Sequence, residues 1–242
     1  MLNIRSIADQ RILDIKEQRL LSRKISELPL RIHGTRLERL VNKLYEELDS
    51  AGISFKPKTY LSDSWGCPDR VPVIGIPFYL VDPVLCNIKH KLTGADFDED
   101  IAVKMLLRHE AGHTFNYAYR LYNKPAWRRL FGQFSLPYKK DYPVIPFSNR
   151  FVNHLPAWYA QKHPDDDFAE TFAVWLTPGS DWQKQYLGTP AFAKLSYIDE
   201  VAARYGSKLP VVKDGKLDIP ADEMGMTLGE YYEIYQQNFR TF

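Results

Sequence analysis

The stretch Leu106-Leu107-Arg108-His109-Glu110-Ala111-Gly112-His113-Thr114-Phe115 decides how the chain is read. It places His-Glu-x-x-His behind apolar Met105, Leu106 and Leu107, in a segment that meets no proline until Pro125. Asp96 or Asp98 can cap a helix there, and Asp98, Glu99 and Asp100 suit the positive end of its dipole. Four residues on a helix turn through about 400°, so both imidazoles leave one face and can share one ion. Glu110, next to the first ligand, can reach a water activated by that ion without displacing it, the placement of a general base. By composition alone the pattern arises in on the order of one chain in a hundred of this length, and mostly in loops rather than mid-helix.

A metal needs a third protein ligand. An extension with Gly at 116 and His or Asp at 119 is excluded, because the chain has Asn116 and Tyr119. The remaining option is an acid from a later helix. The strongest candidate is His163-Pro164-Asp165-Asp166-Asp167-Phe168-Ala169-Glu170, where Asp166 and Glu170 stand four apart on one face of a helix expected over 165–176 and closed by Pro178-Gly179. One carboxylate can bind the metal, and the other can accept the free ring N–H of a ligating histidine. The residues alone leave open which does which. His163 is a rival ligand, although Pro164 starts the helix and leaves His163 at its rim.

The segments Leu61-Ser62-Asp63-Ser64-Trp65, Ile76-Pro77-Phe78-Tyr79-Leu80, 107–113 and 158–178 resemble the zincin clan of metallopeptidases, and more narrowly a bacterial family of zinc-binding metallopeptidases, over roughly residues 28–205. The resemblance implies an α+β zincin-like fold: a small mixed sheet with an edge strand packed on the His-Glu-x-x-His helix, plus further helices. It implies Zn²⁺ held by His109, His113 and Asp166, with Glu170 as the supporting acid. Such families usually carry Glu where this chain has Asp166, so either the helix sits closer to the ion or Glu170 or Asp167 binds instead. The resemblance also matches Tyr159 to a tyrosine that helps hold the developing oxyanion, and assigns Gly75 to Val81 to a groove where substrate adds as a strand.

Working outward, the chain reads as one zincin-like catalytic domain over 1–242, with an N-terminal helical extension (1–30) and a C-terminal tail (208–242). Residues 5–29 carry a loosely helical pattern from Ile7 and Ile12 to Leu28, and a clear amphipathic helix follows Gly34, from Leu37 to Leu48, with Gly52 past its end. Between Ile53 and Val84, prolines, glycines and β-branched residues read as short strands, at least one at a sheet edge. Pro125 to Pro156 reads as irregular surface. Helices are expected over Pro190 to Tyr205 and near Gly229 to Phe239.

Composition narrows the classes. In 242 residues, 32 Lys and Arg face 30 Asp and Glu without a basic stripe, which argues against a nucleic-acid binder. No secretory signal, no run of about 18 apolar residues and only two cysteines, Cys67 and Cys86, suit a soluble, cytoplasmic protein with no membrane partner. Both cysteines read as inert, and His33, His90 and His154 as structural or surface residues. The basic cluster Lys124 to Arg129 can touch an anionic partner, although a solvated face is the simpler account. The expectation is a zinc-dependent peptidase acting on a peptide or protein substrate, with Glu110 as general base and Tyr159 steadying the oxyanion. The alternatives are a zincin-fold binding module with a structural zinc and a zinc hydrolase of a non-peptide amide. Oligomeric state is not legible.

Overall fold

The computed structural model describes residues 13–94, 98–139 and 141–239. Ile7, Ile12 and Asp96, named above, lie outside them. In chain order the elements are α1 (Ile15–Leu21), α2 (Arg36–Ser50), β1 (Lys58–Ser62), β2 (Val73–Pro77), α3 (Pro83–Thr93), α4 (Asp100–Ala118), α5 (Pro125–Phe131), α6 (Pro164–Leu176), α7 (Trp182–Gln185), α8 (Pro190–Tyr205) and α9 (Leu228–Phe239). The described residues thus form a mixed α/β structure, helix-rich with one two-stranded sheet.

The pair α4 and α6 forms the centre. Along α6 almost every side chain is buried, and Phe172 packs on Phe115 of α4 with ring centroids 5.3 Å apart. What lets the two helices meet is Gly112. A Cβ there would lie 2.7 Å from Ala169 Cα and 2.9 Å from Ala169 O, distances that no rotamer change relieves. Gly112→Ala therefore forces the helices apart. Alanine's helix propensity returns about 1 kcal/mol, but overpacking a rigid backbone contact costs about 1–3 kcal/mol. The expected net result is a lower thermal midpoint for the chelated protein and weaker metal binding, read by calorimetric melting. An unchanged midpoint would contradict this packing.

β1 and β2 pair in parallel, from Lys58 opposite Val73 to Ser62 opposite Pro77, and β2 is buried throughout and packs on α4. The expected mixed sheet is therefore a parallel pair, to which Gly66 adds one isolated antiparallel bridge at Gly75. That bridge occupies the outer edge at Gly75, the first residue of the Gly75 to Val81 segment that the resemblance assigns to substrate. Gly75 N–H donates to Gly66 O at 2.8 Å and Gly66 N–H donates back at 3.3 Å. The segment approaches because residue 75 lacks a Cβ, which would meet Gly66 O at 3.1 Å. Beyond Pro77 the chain leaves the strand as a 3₁₀ turn, Phe78–Val81.

The N-terminal helix is shorter than its pattern. Asp14 and Glu17 form a reciprocal cap on α1, but after Leu21 the backbone pairs with the C-terminal segment. Ile25 N–H donates to Met226 O at 3.0 Å and Leu228 N–H to Arg23 O at 2.9 Å. Tertiary hydrogen bonds replace helical ones. From the tail, Val212 N–H reaches Ala118 O, while Tyr231 of α9 donates to Asp63 O at 2.6 Å. A further helix, α3, fills the stretch between the expected strands, which end at Val84, and the His-Glu-x-x-His helix; Asp82 caps it, Pro83 opens it and Gly94, left-handed at φ 68°, ends it. Among the described residues no helix is long and apolar enough to cross a membrane.

Candidate metal centre

One turn of α4 carries His109, Glu110 and His113, and one turn of α6 carries Asp165, Asp166 and Glu170, all buried. The Nε2 atoms of His109 and His113 face each other at 3.1 Å. Asp166 Oδ1 lies 3.7 Å from the first and 3.5 Å from the second. One donor atom from each of His109, His113 and Asp166 thus falls within 4.8 Å of the others, a group able to hold a metal ion.

The opposite ring nitrogens are fixed. His109 Nδ1 donates to Glu170 Oε1 at 2.8 Å, and His113 Nδ1 donates to Asp165 Oδ2 at 2.9 Å. A carboxylate only accepts, so each Nδ1 carries the proton and each neutral ring turns its lone pair outward through Nε2. Two lone pairs 3.1 Å apart beside a carboxylate repel unless a proton or a cation sits among them. Asp166 Oδ2 is buried with no hydrogen-bond partner. Two imidazole lone pairs facing Asp166 Oδ1, on a carboxylate whose second oxygen has no partner, form a donor set that fits a borderline cation such as Zn²⁺.

The fit settles where each acid stands. Glu170, named above as a possible ligand, is turned away: its Oε2 accepts from Leu155 N at 2.8 Å and His154 N at 3.3 Å, so both oxygens are occupied. Asp167 points to the other side of α6, where Lys194 Nζ donates to it at 2.6 Å. Its carboxyl is pushed up to about 7 by burial, with Lys194 pulling the other way. His163 is no ligand either, since its Nδ1 accepts from Asp165 N and its Nε2 donates to Leu136 O at 2.8 Å. It caps α6.

Asp165 was not singled out from the sequence, where it reads as a cap. It supports His113 and is itself held by Asn116 Nδ2 at 2.7 Å and by the Tyr117 hydroxyl. The available signal was stoichiometric: two ligating imidazoles ask for two outer carboxylates, and the run 165–167 supplied a spare acid.

Glu110 is buried at the rim of a cleft of about 160 Å³ that His109, His113 and Asp166 also line. Its Oε2 accepts the Cys67 thiol at 3.4 Å. Burial first, then the charge of Glu110, pushes the Cys67 thiol far up, so it remains a neutral donor rather than a nucleophile. Tyr159 lies across the cleft with its ring edge-on to His109, centroids 5.5 Å apart. Lys162 Nζ donates to its hydroxyl oxygen at 2.9 Å, leaving the phenol's own hydrogen free to point elsewhere. Burial, reinforced by the Asp166 and Glu110 carboxylates, raises this phenol and keeps it protonated. Tyr159 follows two left-handed non-glycine residues, Ala157 (φ 62°) and Trp158 (φ 52°), a local strain that aims the turn bearing it.

Without an ion the histidines hold protons instead. Burial pulls His109 down, but Asp166 and Glu170 outweigh it and hold it up at about 9. His113 is held well above its usual value, with Asp165 overcoming the cost of burial. A metal must displace these protons below about pH 9. Apparent affinity therefore rises with pH through neutrality, and zinc binding near pH 7.5 is expected to release at least about one proton. Titration calorimetry in buffers of different ionisation enthalpy reads that number; a value of zero would contradict imidazoles held protonated by Asp165, Asp166 and Glu170.

The remaining histidines are accounted for elsewhere. His154 Nε2 donates to Met105 O at 3.0 Å, His33 pairs with Glu38 at the surface, and His90 is exposed in the last turn of α3. Compared with protein-family models, with curated proteins and with solved structures, the chain shows no match in any of the three comparisons.

Proposed function

We propose that the chain is a zinc-dependent peptidase of the zincin type, with His109, His113 and Asp166 as ligands, Glu110 as general base and Tyr159 as oxyanion donor. The observation that carries the reading is the convergence of two imidazole Nε2 atoms, 3.1 Å apart, with Asp166 Oδ1, 3.7 and 3.5 Å from them. When bound, the ion supplies Lewis acidity, polarising a scissile carbonyl and acidifying water in the cleft.

The chain's own residues supply the rest. Glu110 accepts the proton of the attacking water and delivers it to the departing amine. Tyr159 donates its hydroxyl hydrogen to the oxyanion, and the Lys162 ammonium on its oxygen makes it a stronger donor. Glu170 and Asp165 hold the two imidazoles in one tautomer and orientation. A structural zinc is closed by four protein ligands, whereas three donors with a carboxylate base beside an open cleft suit catalysis, which favours the enzyme over a binding module.

The test uses zinc-loaded protein on a peptide library. Cleavage is expected, abolished by chelation and restored by zinc. Tyr159→Phe is expected to lower kcat by about 10²-fold with KM little changed. Cleavage indifferent to chelation would overturn the reading.

A further inference from the structure

A second concave site adjoins the metal cleft, and it absorbs part of the basic cluster that the peptidase reading leaves unused. It is an open pocket of about 610 Å³ lined by Arg70 and Arg128, both exposed, together with Asn123 and Gln133. Its floor is Tyr122 stacked on Phe134 at 4.4 Å, and the Arg70 guanidinium rests on both rings, 5.9 and 5.5 Å from their centroids. None of the residues lining it is an acid. Arg70 meets a carboxylate only at long range, Asp69 at 3.8 Å and largely exposed, and among the described residues no acid pairs with Arg128.

The pocket and the cleft share a wall. Tyr117 lines the cleft, and its ring stands perpendicular to Phe134 at 6.1 Å. On the other side, Cys67, whose thiol touches Glu110, leads into a turn closed by Val71 N–H on Pro68 O at 2.9 Å. That turn carries Arg70 to the pocket in a left-handed backbone, φ 58°, a conformation a non-glycine residue holds only where its surroundings enforce it.

Two guanidiniums in a hollow lined by no acid, one lying over an aromatic floor and paired only with the exposed Asp69 at 3.8 Å, suit a planar oxyanion. We infer that this pocket binds a carboxylate of the substrate peptide, making the enzyme selective for peptides that present one there. The inference rests on the peptidase reading and names its substrate class. The carboxylate comes either from an Asp or Glu side chain or from the peptide's C-terminus, and the two sources share the same recognition chemistry.

Binding to the zinc-loaded Glu110→Gln protein separates this claim from the chemistry. The probes are one short peptide containing glutamate, its glutamine counterpart, and both again with the C-terminus amidated, each titrated by calorimetry. At least one carboxylate is expected to tighten binding about tenfold. The advantage should shrink with added salt and vanish in Arg70→Met/Arg128→Met, with Arg70→Lys intermediate because it keeps the charge and loses the fork. A difference between glutamate and glutamine that survives amidation assigns the side chain; a loss on amidation alone assigns the terminus.

Equal affinities for all four peptides, or a double variant of unchanged secondary structure that binds them all like its parent, would overturn the inference. So would a single-stranded oligonucleotide that outcompetes every peptide. The two readings fail differently: peptides cleaved with no preference for a side-chain or terminal carboxylate remove the pocket and leave the peptidase, whereas peptides bound through a carboxylate in the pocket and never cleaved by the unmutated protein do the reverse.

Discussion

Glu110→Gln is expected to keep zinc and lose about 10²- to 10⁴-fold in kcat, the range for removing a positioned general base. The substitution is nearly isosteric, and the amide oxygen can still accept the Cys67 thiol that now reaches Oε2 at 3.4 Å. Since Glu110 makes no part of the convergent donor group, the two histidines and Asp166 stay in place. The measurements are metal content by mass spectrometry alongside kcat on a peptide found in the library. Zinc retained with activity unchanged would remove Glu110 from the chemistry.

Asp166→Ala should cost more metal affinity than any other single change to α6. It deletes a donor and leaves two imidazoles facing an open hole, so zinc is lost at concentrations that saturate the parent, and hydrolysis with it. Glu170→Gln and Asp165→Asn remove only the partners of His109 Nδ1 and His113 Nδ1, at 2.8 and 2.9 Å, and are expected to weaken zinc by about 10- to 100-fold while leaving residual activity. The order matters more than either figure. Competition with a chromophoric chelator ranks the three variants, and a Glu170 variant that loses more zinc than the Asp166 variant would exchange their roles.

Much of this was legible in the residues, for identifiable reasons. The helix-borne His109 and His113 follow from spacing alone, because four residues is one turn. α8 runs from Pro190 to Tyr205 as its Pro start and Gly206 suggest, and α2 follows the Leu37 to Leu48 stripe. What escaped is non-local. Whether Asp166 or Glu170 faces the histidines depends on how α6 is rotated and how closely it approaches, and that approach is set by Gly112 against Ala169. A residue shorter than Glu can reach the site because no side chain separates the two backbones there.

Other misses share that cause. The outer edge of β2 is bridged at Gly75 by Gly66, from a loop no periodicity marks. The N-terminal helix stops at Leu21 because the C-terminal segment offers Ile25 and its neighbours better partners than their own helix. α3 was hidden for the opposite reason: Asp82-Pro83 and Gly94 are local start and stop signals, overlooked behind the β-branched run that precedes them. Cys67 read as inert in sequence, and its thiol is unreactive, but only the fold shows it against Glu110.

X-ray absorption at the zinc edge, on protein loaded with one equivalent of zinc, reads the centre itself. Two imidazole nitrogens and a carboxylate oxygen at about 2.0–2.2 Å, with no sulfur, are the predicted protein ligands. A zinc–sulfur shell near 2.3 Å, which would bring Cys67 into the ligand set, or zinc that does not bind stoichiometrically, would contradict a centre built from His109, His113 and Asp166.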